Sequence, residues 1–229
     1  DQFDQDVLGY LTGFKQSATH GSPDTVNTTT NGSVAVSTAG TDELLSSMKI
    51  DAAAFGGSAG ASLALQPRTG GATDSTPAAG DTFPLTVIAR MSRLLDQQNV
   101  DTQGRWLVVD PVFMELLKDE DSRLFNADFG GSGLQNGQVG TNIHGFRVYT
   151  SNNLPTVGTG PSFTGTNSTT NFGMIVAGHD SAVATAEQIN KTETYRDPDS
   201  FSDIVRGMHL YGRKILRPEA LVNAKYHLA

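Results

Sequence analysis

Apolar residues along this chain change their period several times, and each change marks an element. Over residues 1–16, DQFDQDVLGYLTGFKQ, Phe3, Val7, Leu11 and Phe14 recur at spacings of three and four. That is one helix face, interrupted by Gly9 and Gly13. Its opening in mid-pattern predicts the tail of a longer helix. Residues 17–40 are rich in Ser, Thr, Asn and Gly, with Val34 and Val36 alternating as a short strand would. Thr41 or Asp42 is placed to cap a short helix over 43–55. The Ala, Gly, Ser and Thr of residues 56–82 predict a long loop or insertion.

The strongest helical signal follows. Asp81 or Thr82 can cap it and Pro84 can open it, and Leu85, Ile88, Met91, Leu94 and Leu95 form a buried stripe over 84–98. Residues 105–111, RWLVVDP, read as a buried strand closed by proline, and Pro111 starts a helix running into the acidic Asp119–Asp121. A glycine-rich loop at 130–140 leads to a strand around Phe146, Val148 and Tyr149. Beyond a second loop, 156–171, FGMIVA reads as a strand, Gly178 as a turn, and residues from Asp180 or Ser181 to Ile189 as a helix with Ala182, Val183, Ala186 and Ile189 inward. The stretch from Thr192 to Val222 reads as one or two long strands, with Gly207 and Gly212 as hinge or bulge positions. Helices and strands mixed this irregularly predict an α+β fold rather than a regular βαβ wind.

Composition narrows the function classes. The 229 residues suffice for one ample or two small domains, and no run of 18 apolar residues is present to span a bilayer as a helix. The chain has no cysteine, so disulfide scaffolds, thiolate metal sites and cysteine nucleophiles are excluded. A formal net charge of −8 argues against gripping nucleic acid through a broad basic face. Charged residues make up only 17%, which suits either many loops or a surface hidden against neighbours.

Candidate chemistry is sparse. Gly56-Gly57-Ser58-Ala59-Gly60 matches the G-x-S-x-G of a hydrolase nucleophile elbow, but that elbow needs a buried strand before it and a helix after it. His20, His144, His179, His209 and His227 are scattered, without an H-x-x-x-H pair, and no metal or cofactor is expected. Asp197, Asp199 and Asp203 lack the glycine and closing glutamate of a calcium loop. The glycine loops lack the Gly-Lys-Ser/Thr of a phosphate cradle. The sequons at Asn27, Asn31, Asn167 and Asn190 matter only in a secretory pathway. These residues predict no enzyme.

Three segments together resemble the major capsid proteins of tailed bacteriophages, with the Hong Kong 97-like fold. They are LLDQQNVDTQGRWLVVDPVFMELLKD (94–119), GFRVYTSNNLP (145–155) with AGHDSAVATAEQI (177–189), and YRDPDSFSDIVRGMHLYGRKILRPEAL (195–221). The resemblance implies a peripheral domain, 1–104 with 191–213, and an axial domain, 105–190 with 214–229. It also implies that an N-terminal arm, an extended loop and most of a spine helix precede Asp1. In function it implies a structural subunit of the virion, made in the host cytoplasm and self-assembling into pentamers and hexamers around double-stranded DNA. Scaffolding, portal and decoration proteins would be its partners. On that picture Arg105, Arg206, Arg213 and Arg217 are subunit-contact candidates, since guanidinium pairs bidentately with carboxylates, and Gly207 and Gly212 let a long strand bend between the domains. The alternative is that each arginine lies along its own strand surface. A second reading, a β-rich surface adhesin or interaction module, draws on the Thr/Ser/Gly/Asn loops and predicts strands throughout.

Overall fold

The fold is taken from a computed structural model, which describes residues 2–12, 44–66, 81–118, 142–157, 161, 172–196 and 202–228. Its main body is a sheet of nine strands: β1 (Lys49–Ile50), β2 (Leu63–Leu65), β3 (Asp81–Thr82), β4 (Arg105–Val109), β5 (Asn142–Ile143), β6 (Phe146–Thr150), β7 (Thr156–Val157), β8 (Phe172–His179) and, from the end of the chain, β11 (Leu221–Leu228). The spatial order is β3-β2-β11-β8-β4-β6-β5, with β1 also on β11 and β7 also on β8. Parallel pairs (β2 with β11, β4 with β6) mix with antiparallel ones (β8 with both β11 and β4). β8, in the middle, reads as a near-continuous apolar run, and β11 beside it is buried along almost its whole length even though it carries Asn223, Lys225 and His227.

Helix α2 (Pro84–Gln97) packs against β11, burying Val87, Ile88, Met91 and Leu95, with Leu85 and Leu94 half-buried beside them. Pro84 occupies its first turn as expected, but the N-cap is Phe83, which makes no side-chain cap. Neither Asp81 nor Thr82 caps it, because both are committed to β3. Helix α3 (Pro111–Leu117) is capped by Asp110, whose Oδ1 accepts the Phe113 amide at 3.1 Å. Trp106 packs half-buried against the core and Phe113 is fully buried.

Three expectations are corrected. The short helix expected over 43–55 is two 3-10 turns, Ser46–Met48 and Ala52–Phe55, separated by β1, with Asp51 capping the second. Gly178 is not a turn: it lies within β8, directly opposite Trp106 of β4. A Cβ there would stand 2.9 Å from the Trp106 ring and 3.1 Å from the Ala220 carbonyl, so only glycine lets the indole lie across the strand. The helix expected over 181–189 is also absent. Residues 180–182 make one 3-10 turn and the chain then runs as β9 (Val183–Arg196). Its apolar spacing imitates a helix face, but antiparallel pairing with β10 (Asp203–Ile215) decides the conformation.

β9 and β10 form a two-stranded ribbon separate from the main sheet. The long loop expected over 56–82 is also corrected in part, since Leu63–Leu65 and Asp81–Thr82 pair into the main sheet as β2 and β3; its residues 67–80, the strand expected at Val34 and Val36, the Asp119–Asp121 helix end and the 130–140 loop fall outside the described residues.

Candidate interaction surface

The ribbon is seated at its root by helix α1 (Gln2–Thr12). Phe3 meets Tyr211 edge-on at 4.8 Å, and the Tyr211 hydroxyl donates to Asp6 at 3.0 Å. Arg213 pairs with Asp6 and places its guanidinium 4.8 Å above the Tyr10 ring. The far end of α1 reaches the main sheet, where Asn223 of β11 donates to the Thr12 carbonyl at 3.2 Å. One helix thus ties the ribbon to the body. Beyond α1 the two strands carry exposed side chains on both faces, among them Tyr195, Val205, Met208 and Leu210.

The four arginines singled out from sequence lie in four different settings. Arg105 is 2% exposed and is satisfied inside its own chain. Its Nε donates to the Asp101 carbonyl at 2.8 Å, and its Nη2 to the Val100 carbonyl at 2.6 Å and to Asp96 at 2.7 Å. A guanidinium committed in this way has nothing to offer a neighbouring subunit; Arg105 stitches the end of α2 to the start of β4. Arg213 is the α1 anchor just described. Arg206 stands exposed on the ribbon, 2.9 Å from Glu193 and 5.1 Å over the Tyr195 ring. Lys191 approaches the same carboxylate, and the two cations hold Glu193 below the usual carboxylate range. Arg217, at the corner between the ribbon and β11, pairs with Glu219 at 3.0 Å.

Gly207 and Gly212 are both paired in the ladder, with Thr192 and Ala186. The register shift falls between them, at His209/Leu210, where Asn190 and Gln188 are the successive partners and Ile189 of β9 is the extra residue. The bulge is therefore on the strand opposite the two glycines.

Two polar pairs are buried in the body. Tyr226 donates its hydroxyl to Asp110, the cap of α3. Burial raises the Asp110 carboxyl, against the Tyr226 and Phe113 hydrogen bonds that favour its charged form. Burial, with the Asp110 charge added, raises the Tyr226 phenol as well. Ser62 Oγ and His227 Nδ1 are 2.8 Å apart. Both are closed to solvent, and His227 Nε2 has no hydrogen-bond partner, so this serine–histidine pair is a core contact rather than a nucleophile and its base. Burial lowers the His227 imidazole, with Asp81 acting against the shift. Ser58, in the hydrolase-like pentapeptide, is exposed in a loop after a 3-10 turn, without the buried strand an elbow requires. His179 caps the 180–182 turn, accepting the Ser181 amide at 3.1 Å. Among the described residues no three His, Asp or Glu side chains group as a metal site.

The chain matches the family of phage capsid proteins over residues 1–224. A solved structure from Mycobacterium phage Che8 is 34% identical, with a TM-score of 0.53, covering 71% of this chain and 53% of its own. The capsid structure of the cyanophage P-SCSP1u is 18% identical, with a TM-score of 0.57, covering 100% of this chain and 62% of its own. This chain therefore spans between about half and three-fifths of the length of these solved relatives. No curated protein matches it.

Proposed function

The chain belongs to the phage capsid protein family, and from that premise we propose that it is the shell subunit of a tailed phage, closing into pentamers and hexamers around double-stranded DNA. Family membership makes its role structural and self-assembling, within the virion shell, and not enzymatic. The family match over residues 1–224 carries the reading. The Hong Kong 97-like arrangement of a peripheral and an axial domain is part of the same proposal.

The nine-stranded sheet draws strands from both sides of residue 104, and α2 packs on it. We therefore place the division at the roots of the ribbon: α1 with residues 183–215 as the peripheral element, and the sheet with α2 and α3 as the axial body. Arg206 and Arg217, exposed and lightly paired, remain the arginines suited to contacts between subunits, and Arg213 positions the ribbon. Gly207 and Gly212 leave open space along the exposed ribbon, as a bending element would need.

The net charge of −8 fits DNA that is enclosed without being gripped, since acidic protein and phosphate repel. Scaffolding, portal and decoration proteins are the expected accessory partners, with synthesis in the host cytoplasm. Sedimentation velocity on the full protein tests the reading. Closed particles of very high mass are expected; a monomer or small oligomer at all concentrations would overturn it.

A further inference from the structure

β11 carries two buried ionisable contacts, one on each face of the sheet, and they answer acid in opposite directions. Tyr226 turns to one face, where its hydroxyl donates to Asp110 and its ring meets Phe113 edge-on at 5.4 Å. His227 turns to the other. There its Nδ1 lies 2.8 Å from Ser62 Oγ, while Nε2 is closed to solvent and has no hydrogen-bond partner. Register puts His227 opposite Ala64 of β2, and Ala64 opposite Asp81 of β3, so the three stand in one line across the end of the sheet.

The neutral imidazole fits this place. With its proton on Nδ1, Ser62 accepts it and Nε2 is left only as an unfilled acceptor. A second proton turns Nε2 into a charged donor that meets no acceptor. The charged groups on the same face do not repair this. Asp81 stands two strands away and is itself bonded to Gln66 at 3.0 Å. Its field favours the imidazolium, but burial outweighs it and lowers the imidazole. Lys225, two residues before His227, is turned to the Gly60 carbonyl, with Lys49 and Asp51 nearby.

We propose that His227 is an acid-sensitive catch on this end of the sheet: once protonated, it lets β2 and β3 part from β11 while Tyr226 and α3 stay in place. Opening gives Nε2 access to water. The pairing to be undone is short, since β2 meets β11 over three residues and β3 meets β2 over two. Leu63 and Leu65, fully buried, keep the closed form the major one; acid changes how often the edge opens. The opposite face tightens instead. Burial raises the Asp110 carboxyl, so acid neutralises it, removes the cost of keeping its charge inside and leaves Tyr226 held. The device therefore works from one edge and does not loosen the whole body. Its sign follows from linkage: the closed form binds the proton less readily than the open one, so opening grows as pH falls below about 6.5.

Hydrogen exchange of the full protein follows both faces at once. It is read by mass spectrometry at about pH 7 and about pH 5.5, corrected for the intrinsic pH dependence of amide exchange. Protection of the Leu63–Gln66 amides should fall by about fivefold or more at the lower pH, while that of Met114–Leu117 in α3 holds. His227→Gln should abolish the fall, and His227→Leu is the second replacement should glutamine not be accepted. Unchanged protection of β2 in the unmodified chain would overturn the inference. So would an equal fall at α3, which would mean opening of the whole body, or a fall that survives in a folded His227 variant. Each of these outcomes leaves the capsid reading standing.

Discussion

Arg105 and His227 are two buried ionisable side chains of the body, and they act in opposite ways. Arg105 holds two backbone carbonyls and Asp96 with one planar group, fastening the turn at Gly104 between α2 and β4. Replacing it with alanine strands those carbonyls in a buried corner, at a cost of about 2–3 kcal/mol. Arg105→Lys should recover only part of this, because an ammonium cannot cover the same directions as the fork. Denaturant melts of the two variants measure both effects. His227 behaves as a buried neutral imidazole. Burial lowers its folded pKa, so below the ordinary value of 6.5 the unfolded chain binds the extra proton and stability falls with pH. Above that value its contribution is intact. Asp110 has the opposite sign: burial raises its carboxyl, so its ionisation weakens the fold as pH rises through the raised value. Urea midpoints for the unmodified chain should decline between about pH 7 and about pH 5.5, and His227→Gln should lose that decline. An unchanged slope in that variant would place the acid sensitivity elsewhere.

Elements differed in how legible they were. Helix α2 was readable because its apolar stripe, its proline and its length agree, and packing on β11 reinforces what local propensity already favours. β4 and the opening of α3 were readable for the same reason, in that Asp110-Pro111 is both a strand stop and a helix start. β9 was not. Ala182 just before it and its own Val183, Ala186 and Ile189 recur at helical spacing, and nothing local says that residues 203–215 will pair with this stretch. The bulge opposite His209/Leu210 was unreadable too, since no glycine stands at Ile189 to announce it. Gly178 carried a signal of the wrong kind: a glycine between apolar runs reads as a turn, while its actual reason is the Trp106 ring lying across it. Among the candidate arginines, sequence could not separate Arg105 from Arg206, because burial and not residue type distinguishes them. At this scale the joint between α1 and the ribbon is the testable one. Asp6 and Arg213 are both part-exposed, so a double-mutant cycle on Asp6→Asn and Arg213→Gln should give a coupling of about 1 kcal/mol or less. The variants should loosen the ribbon root, raising amide exchange in β10 near Tyr211 while α2 stays protected.

At the scale of the whole molecule, an acidic body carries a neutral, partly apolar ribbon seated against helix α1. A catalyst would gain little from that arrangement; a subunit that must meet many copies of itself gains a contact element and a place for it to adjust. The subunit account stands most directly on the shape of the assembly, and electron microscopy of particles built from the full protein measures it. The account predicts closed icosahedral shells, with five-fold and six-fold clusters of this chain and the ribbon lying in contacts between copies. Small discrete oligomers, or shells in which this chain is not the repeating unit, would contradict it.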